Sequence, residues 1–367
     1  MSERTDPQRI LMTADTIGGV WTYAVELARA LPQFEFALVT MGAPLSPAQK
    51  EEASALANVT LFSSNHALEW MDEPWEEVDA AGEWLLEVAS GFRPDVIHLN
   101  GYSHATLPWS APVVVVAHSC VMSWWTAVKK SPLPAGFAEY RRRVKQGLEA
   151  ADLVVAPTAA MLESLAANYG FVRDGEVVAN CRDPRRFRVG AKRQAIFAAG
   201  RLWDEAKNLA ALEAVAPTVT WPIEVAGDAA LPHGAELQFR NVRSLGKLSA
   251  DDLAARLATS AIYALPARYE PFGLSALEAA LSGCALVLGD IPSLREVWSD
   301  AALFVSPDDH AALAASLNRL IADDALRADY AHRARRRAAV FSPARFADAY
   351  MAAYSRCLTN KPAEVAA

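Results

Sequence analysis

The chain has 367 residues, more than one hydrophobic core usually holds, so we expect two domains. A composition that is 52% hydrophobic and 21% charged excludes a disordered or fibrous chain. The net charge of -8 gives no general electrostatic reason to bind nucleic acid, and we expect no nucleic-acid partner.

The cysteines and the apolar runs indicate the compartment. The cysteines are scattered, without a CxxC pair or a Cys/His spacing suited to zinc, so we predict buried thiols and a reducing environment. The start MSERTDPQRI lacks the apolar core of a secretory signal, and runs such as 111–118 are too short to cross a bilayer as a helix. We therefore expect a cytoplasmic protein with at most peripheral contact at the inner face of the membrane.

Along the first half, short β-branched runs alternate with longer segments of helical period, the pattern of βα units around a parallel sheet. Helices are predicted from Val20 to Leu31 and from Glu76 to Ser90, where apolar residues recur every three or four positions. The predicted strands are residues 9–14, 34–40, 59–62, 95–100, 112–118 and 152–157.

A proline-containing basic segment, residues 180–193, interrupts this pattern, and a second series of strands follows it. After Pro307 the chain is predicted to be helical, with a last helix starting at Pro343. The sequence thus predicts an α/β protein with two Rossmann-like, doubly wound parallel-sheet domains. The second series of strands is residues 194–200, 222–227, 261–266, 285–290 and 302–307.

The most informative stretch is residues 264–297, where a strand, a polar loop and a helix follow one another. Gly273 allows close backbone approach, and the helix start offers unpaired N–H groups and a positive dipole end to a phosphate. Glu270 on the loop and Glu278 on the helix can face one crevice and accept hydrogen bonds from sugar and ribose hydroxyls. The alternative is that both are solvated surface acids.

This stretch, EPFGLSALEAALSGCALVLGDIPSLREV, resembles the Glu-x7-Glu segment of the retaining GT-B glycosyltransferases of family GT4. The resemblance implies that Glu270 contacts the transferred sugar and Glu278 the ribose. The sugar and phosphate would meet the backbone of Phe272, Gly273 and Leu274. One departure is Ala267, where the family often has serine.

The resemblance extends over nearly the whole chain and implies a GT-B fold with a central cleft. An acceptor domain of residues 1–187, completed by a C-terminal helix of residues 343–367, would face a donor domain of residues 188–342. The family's asparagine-containing hinge, usually Pro-Asn-Gly-Val-Asp, corresponds to NCRDPRRF at 180–187, which lacks its proline and glycine.

Residues 198–209, AAGRLWDEAKNL, are similar to the family's segment beside the donor diphosphate, and Arg201 and Lys207 match its basic residues. Fixed cations stabilise the negative charge that a departing nucleotide diphosphate gains, so we expect no metal ion and no cofactor. The alternative is a solvated loop with two ordinary basic residues.

In the first half, Gly18 and Gly19 lie between the first strand and helix, where glycines let backbone N–H groups approach a ligand. Such a pair is often only a tight turn, but the resemblance implies a loop that closes over the donor. It likewise implies that His118, at the end of its predicted strand, faces the reacting sugar, with a positioning or electrostatic role. His98 and His104 are secondary candidates or simply packed residues.

Aromatic residues in predicted strand-end loops of the first domain are candidates for stacking on an acceptor sugar, or else core residues. They are Trp21, Tyr102, Trp109, Trp124 and Trp125. Basic residues nearby either meet a lipid phosphate or anionic glycan or line a solvated helix face. They are Lys129, Lys130, Arg141, Arg142, Arg143 and Lys145.

These features predict a retaining hexosyltransferase that moves a sugar from a UDP- or GDP-sugar to a saccharide or lipid-linked acceptor in cell-surface glycan synthesis. Alternatives are a sugar-nucleotide epimerase, a glycan phosphorylase and a non-catalytic nucleotide-sugar-binding protein. A dehydrogenase is disfavoured because the dinucleotide glycine fingerprint is missing. The sequence leaves the oligomeric state, the acceptor and the linkage open.

Overall fold

The computed structural model describes residues 8–170, 175–230 and 237–360, which form two compact units. The first takes its described residues from Met1–Ser123, Pro132–Asn180 and Pro343–Ala367, and the second from Trp124–Ser131 and Cys181–Ser342. The second of the first unit's three segments ends at Asn180. The expected domain bounds and the acceptor and donor assignments stay predictions. Residues 361–367 of the expected last helix lie outside the described residues.

The first unit is built on a seven-stranded sheet whose strand pairs are all parallel, in the order β3-β2-β1-β4-β5-β6-β7. Its central strands are buried on both faces and rich in β-branched residues, as in VVVV of β5. The strands are β1 (Arg9–Asp15), β2 (Glu35–Met41), β3 (Val59–Ser63), β4 (Val96–Leu99), β5 (Val113–Val116), β6 (Leu153–Ala156) and β7 (Glu176–Val177).

Helices cover this sheet and complete its core. Local signals set several of their ends: Ser46 and Gln49 form a capping box at α2, and Thr158 caps α6, which ends at Gly170 with φ +65°. The helices are α1 (Gly19–Ala30), α2 (Pro47–Ser54), α3 (Trp75–Phe92), α5 (Ala138–Ala150) and α6 (Ala159–Tyr169). Helix α4 (Val121–Val128) begins in the first unit, and its residues from Trp124 onward belong to the second.

The second unit has a six-stranded sheet, also parallel, in the order β10-β9-β8-β11-β12-β13. The strands are β8 (Arg193–Ala199), β9 (Ile223–Ala226), β10 (Arg243–Ser244), β11 (Ser260–Leu265), β12 (Ala285–Gly289) and β13 (Leu303–Val305). The helices that follow its strands are α7 (Leu209–Val215), α8 (Ala250–Thr259), α9 (Leu274–Leu281), α10 (Pro292–Trp298), α11 (His310–Ala322) and α12 (Asp324–Ala338).

The strands predicted from the sequence are confirmed to within two residues at each end, and the parallel doubly wound architecture is confirmed. Among the strands of the described ranges, the two-residue strands β7 and β10 are the ones that the sequence does not predict. In each sheet the order reverses beside the first strand, between β1 and β4 and between β8 and β11. Ligands of open parallel sheets bind beyond the carboxyl ends of the strands at such a reversal.

The last helix, α13 (Pro343–Asn360), belongs to the first unit and packs on α1 and the sheet. A buried polar cluster holds it there. His98 Nε2 lies 3.1 Å from the Tyr23 hydroxyl, and His98 Nδ1 lies 2.7 Å from the Tyr354 hydroxyl. The Tyr23 hydroxyl in turn donates to the hydroxyl of Tyr350. The four side chains are buried, and each has a hydrogen-bond partner within the cluster.

None of the helices in the described ranges is both long and apolar enough to cross a membrane. The four cysteines are confirmed as buried thiols. They are Cys120, Cys181, Cys284 and Cys357.

We predict that Gly147→Ala destabilises the first unit. Gly147 lies in α5, and a Cβ atom there would stand 2.0 Å from the backbone oxygen of Tyr102. Because overpacking against backbone forces the elements apart, we expect a loss of about 1–3 kcal/mol in the free energy of unfolding, measured by urea denaturation.

Gly91→Ala is the matched control, since Gly91 is also helical and a Cβ atom there meets nothing within 4 Å. It should leave stability unchanged or raise it by about 0.4–1 kcal/mol, because alanine restricts the unfolded chain. Equal effects of the two substitutions would contradict the close approach of α5 to Tyr102.

A second prediction concerns the pH dependence of folding stability, to which His98 contributes. Burial, with a smaller contribution from the neighbouring His118, lowers the pKa of His98 from 6.5 to about 3. Between these values the unfolded chain binds a proton at His98 that the folded chain does not, so folding loses about 1.4 kcal/mol per pH unit as pH falls.

We therefore expect His98→Gln to lower stability at neutral pH but to flatten its decline below about pH 6.5, since the variant lacks this titration. Unfolding free energies of both proteins at several pH values measure the difference in slope. Parallel curves for the two proteins would show that folding does not shift the pKa of His98.

Candidate functional site

The candidate site residues of the second unit lie on two loops, beside the point where the strand order of its sheet reverses. One loop follows β8 and carries Arg201 and Lys207, and the other follows β11 and carries Glu270 and Gly273. Since both strands are parallel neighbours, their carboxyl ends meet at one edge. The sheet therefore brings together two segments that lie about sixty residues apart in the chain.

A lysine–glutamate pair joins the two loops. Lys207 Nζ lies 2.5 Å from Glu270 Oε2, with the side chains 21% and 12% exposed. The aliphatic part of Lys207 lies over Gly200, where a Cβ atom would come 3.6 Å from Lys207 Cγ. Ser293 donates to the backbone oxygen of Glu270 at 2.6 Å, so Glu270 is held through both its carboxylate and its backbone.

Arg201 is tethered but remains accessible. Its guanidinium donates to Asp204 Oδ2 at 3.0 Å, while the side chain is 41% exposed. The other oxygen of Asp204 accepts from the Ala206 backbone N–H at 3.0 Å and from the Trp124 indole at 2.9 Å. A guanidinium has five N–H donors, so this tether leaves Arg201 able to bind an anion.

A buried amide locks the strand ends around this pair. Asn208, which has φ +56° and is buried, donates to the backbone oxygens of Pro266 at 2.9 Å and Pro307 at 2.7 Å. Arg268 donates to the side-chain oxygen of Asn208. Sequence reasoning missed Asn208, because its role follows from three loops that meet only in the folded unit.

The start of α9 faces the same edge. Gly273 has φ +92° and ψ +61°, a left-handed conformation that favours glycine, and no side chain caps the helix that begins at Leu274. Helix starts of this kind offer N–H groups and partial positive charge to phosphates. Phe272 contributes only backbone here, since its ring is 2% exposed and packs on Phe341 with ring centroids 5.3 Å apart.

Glu278 lies one turn into α9 and is 8% exposed. It is not a solvated surface acid, because its Oε1 forms an ion pair with Arg182 Nε at 2.8 Å. Sequence reasoning missed the role of Arg182. The available signals were the basic character of residues 180–193 and the absence of the family's proline and glycine from residues 180–187.

In the first unit, Gly18 and Gly19 form the turn between β1 and α1. Gly18 has φ +94° and ψ -147°, both glycines are exposed, and no side chain caps α1. The backbone at this helix start is thus open to a ligand.

His118 lies two residues beyond β5, partly buried. Its Nε2–H donates to Asn100 Oδ1 at 2.8 Å, because the amide nitrogen of Asn100 donates to the backbone oxygen of Thr13 at 2.6 Å. Burial lowers the pKa of His118 from 6.5 to about 3, so the ring is neutral and Nδ1 is a hydrogen-bond acceptor. The ring also packs edge-on against Tyr23, with centroids 4.4 Å apart.

His98 and His104 are structural. His98 belongs to the cluster that holds α13, and His104 Nε2 donates to the backbone oxygen of Val78 at 2.8 Å. Trp109 donates to the backbone oxygen of His104 at 2.8 Å and is fixed by it.

The proposed acceptor aromatics fall into two groups. Trp21 and Tyr102 are buried, and the Tyr102 hydroxyl donates to the Ser119 backbone oxygen at 2.9 Å, so neither ring face is open to a sugar. Trp124 and Trp125 on α4 are partly exposed and belong to the second unit. The Trp125 indole donates to Ser131 at 3.2 Å.

Several of the basic residues have acidic partners. Lys129 pairs with Glu205 at 2.6 Å, Lys130 with Asp308 at 2.7 Å, and Arg143 with Asp79. Arg142 and Arg143 both contact Glu139 and lower its pKa to about 2. These contacts account for four of the six positive charges, at Lys129, Lys130, Arg142 and Arg143, within the protein itself.

Two family models match the chain. Residues 17–186 match the model described as Glycosyltransferase Family 4, and residues 233–337 match the model described as Glycosyl transferases group 1. The second match contains Glu270, Gly273 and Glu278.

Among curated proteins, the O-antigen chain mannosyltransferase B of Escherichia coli is 36% identical over 86 residues, which is 23% of each chain. The chain thus spans about a quarter of the length of the curated relatives it matches.

Two solved structures share the fold across almost the whole chain. Sucrose-phosphate synthase from Thermosynechococcus elongatus superimposes with a TM-score of 0.78 at 16% identity, covering 96% of this chain and 99% of its own. Anabaena HepE, in complex with UDP and glucose, gives a TM-score of 0.73 at 15% identity, covering 95% of this chain and 100% of its own.

The family models match both halves of the chain, and both sheets have the architecture of these neighbours. The chain therefore belongs to the family 4, or group 1, glycosyltransferases and has their GT-B fold.

Proposed function

We propose that the protein is a retaining glycosyltransferase that moves a sugar from a nucleotide-diphosphate sugar to a hydroxyl of a saccharide or lipid-linked acceptor. The observation that carries the proposal is the pair of Lys207 and Glu270, held at 2.5 Å beside the uncapped start of α9. Cation, carboxylate and helix start together suit a diphosphate attached to a sugar.

In the proposed reaction the bond between the sugar C1 and the diphosphate breaks, and the acceptor oxygen forms its bond to C1 on the same face. A diphosphate oxygen takes the acceptor's proton. Arg201 and Lys207 stabilise the charge of the leaving diphosphate, and these fixed cations do so without a metal ion. Retention is part of the proposal because of the resemblance to GT4 enzymes.

Glu270 has two tasks in this proposal. Its carboxylate has about four acceptor sites, so it can bind Lys207 and still accept hydrogen bonds from hydroxyls of the donor sugar. The ammonium group of Lys207 has three donors and can bridge Glu270 and a phosphate oxygen. Glu278 would accept the ribose hydroxyls at the next turn of α9.

In the first unit we assign His118 a positioning role. A neutral ring whose Nε2–H is engaged by Asn100 offers Nδ1 to a sugar hydroxyl, and its low pKa disfavours proton transfer as an acid near neutral pH. Gly18 and Gly19 would offer backbone N–H groups to a ligand, and Trp124 and Trp125, which belong to the second unit, would meet the acceptor.

A UDP- or GDP-sugar is the proposed donor, supported by the complex of HepE with UDP and glucose. A role in cell-surface glycan synthesis is supported by the similarity to an O-antigen chain mannosyltransferase. We propose that the protein works in the cytoplasm and associates at most peripherally with the inner face of the membrane.

The proposal is tested by incubating the protein with UDP- and GDP-sugars and a panel of saccharide and lipid-linked acceptors. Product formation should need an acceptor but no added phosphate, should survive EDTA, and should keep the donor's anomeric configuration by NMR. Conversion without an acceptor would indicate an epimerase, and dependence on phosphate a phosphorylase. Donor binding without transfer or slow hydrolysis would indicate a binding protein.

We predict that Lys207→Met and Glu270→Gln each lower kcat by about 10²-fold or more, because each removes charge stabilisation or sugar positioning in the transition state. Both substitutions keep the approximate size of the side chain. Steady-state rates of folded variants, checked by circular dichroism, measure the effect.

The matched controls are Lys50→Met and Glu163→Gln, which alter exposed residues of the first unit and neither of the two loops. They should keep the wild-type rate. Normal turnover in folded Lys207→Met and Glu270→Gln proteins would rule out the proposed site.

A further inference from the structure

The segment NCRDPRRF, residues 180–187, departs from the family pattern and has no part in the function described so far. It nevertheless places a buried cation on the carboxylate expected at the ribose. Arg182 is 7% exposed, Glu278 is 8% exposed, and Arg182 Nε lies 2.8 Å from Glu278 Oε1.

The surroundings hold Arg182 in this position. Its guanidinium lies over the ring of Phe187, 5.4 Å from the centroid, which favours a cation by its quadrupole. Asp183 caps the short turn Pro184–Arg186 by accepting from the Arg185 backbone N–H at 2.9 Å. Asp183 also pairs with the Arg185 side chain at 2.7 Å, so the neighbouring carboxylate has its own cation.

A buried carboxylate without a counter-charge is strongly disfavoured, and Arg182 supplies that charge from within the protein. The ion pair also fixes the orientation of the carboxylate. Arg182 Nε lies beside Oε1 of Glu278, and a carboxylate, with about four acceptor sites on its two oxygens, can also accept from two adjacent hydroxyls.

We propose that Arg182 is a positioning residue of the donor ribose pocket, holding Glu278 so that it binds the 2′- and 3′-hydroxyls together and selects ribonucleotides over 2′-deoxyribonucleotides. This inference rests on the proposed function. It assigns a role in donor specificity to residues 180–187, the segment that departs from the family pattern.

The test compares the affinities of UDP and GDP with those of dUDP and dGDP by titration calorimetry. For the wild type we expect at least one ribonucleotide to bind about 10-fold or more tightly than its deoxy counterpart, as for a lost hydrogen bond to a charged group. Arg182→Met should reduce this ratio to about two or less, because Glu278 is no longer held. Binding of both nucleotides should persist through Arg201 and Lys207.

The ratio of ribonucleotide to deoxyribonucleotide affinity distinguishes a positioning role of Arg182 from a general role in stabilising the fold. If Arg182 only stabilised the fold, Arg182→Met would weaken the ribo- and deoxyribonucleotide by the same factor, and an unchanged ratio overturns the inference. Arg185→Met is the matched control on the same segment, since the Arg185 side chain is 84% exposed, and it should keep the wild-type ratio.

Arg182→Lys keeps the charge but not the planar donor group, and it should give an intermediate ratio. Should Arg182→Met fail to fold, the lysine variant decides: a reduced ratio supports the inference and a wild-type ratio overturns it. A wild-type protein that binds none of the four nucleotides overturns the proposed function itself. Binding of ribo- and deoxyribonucleotides with equal affinity overturns only the ribose assignment.

Discussion

The attraction between Lys207 and Glu270 organises the second unit's functional edge. These residues are far apart in sequence, and only the parallel pairing of β8 with β11 brings their loops to one place. An ammonium and a carboxylate that are mostly buried must satisfy each other when no ligand is present. In the proposed reaction the same charges would bind a sugar and a phosphate, and the resting contact keeps both side chains ordered.

Each unit uses a side-chain amide, half-buried in the first unit and buried in the second, to fix the strand ends on which such residues lie. Asn100 links Thr13 at the end of β1 with His118 beyond β5, and Asn208 links Pro266 with Pro307. An amide both donates and accepts, so one side chain can serve two neighbouring loops. In both units, hydrogen bonds from one asparagine side chain thus hold neighbouring loops in place.

The strands and their parallel order could be predicted because β-branched runs, helical periodicity and connection lengths are local signals. The two-residue strands β7 and β10 are too short to give such a signal and exist only through pairing at the sheet edges. Glu270, Gly273 and Lys207 were recognisable because their loops are short motifs. The partner of Glu278 was not, because Arg182 lies in a different segment and meets it only through folding.

Burial explains the remaining differences from the sequence analysis. Tyr102 was a candidate for stacking on a sugar, but its ring is packed in the core and α5 passes directly over its backbone at Gly147. Trp124 and Trp125 lie in the first half of the chain but belong to the second unit, which composition does not reveal. The local sequence around an aromatic residue in a loop does not show whether tertiary packing will bury its ring.

The position of α13 has a consequence for how the molecule is made. Tyr350 and Tyr354 complete the polar cluster around His98, yet they follow the whole second unit in the chain. On a ribosome the sheet of the first unit emerges early, but the helix that covers it arrives only after synthesis of Cys181–Ser342. During that interval the second unit can fold as it emerges. The first must wait with the Tyr23 and His98 side chains uncovered.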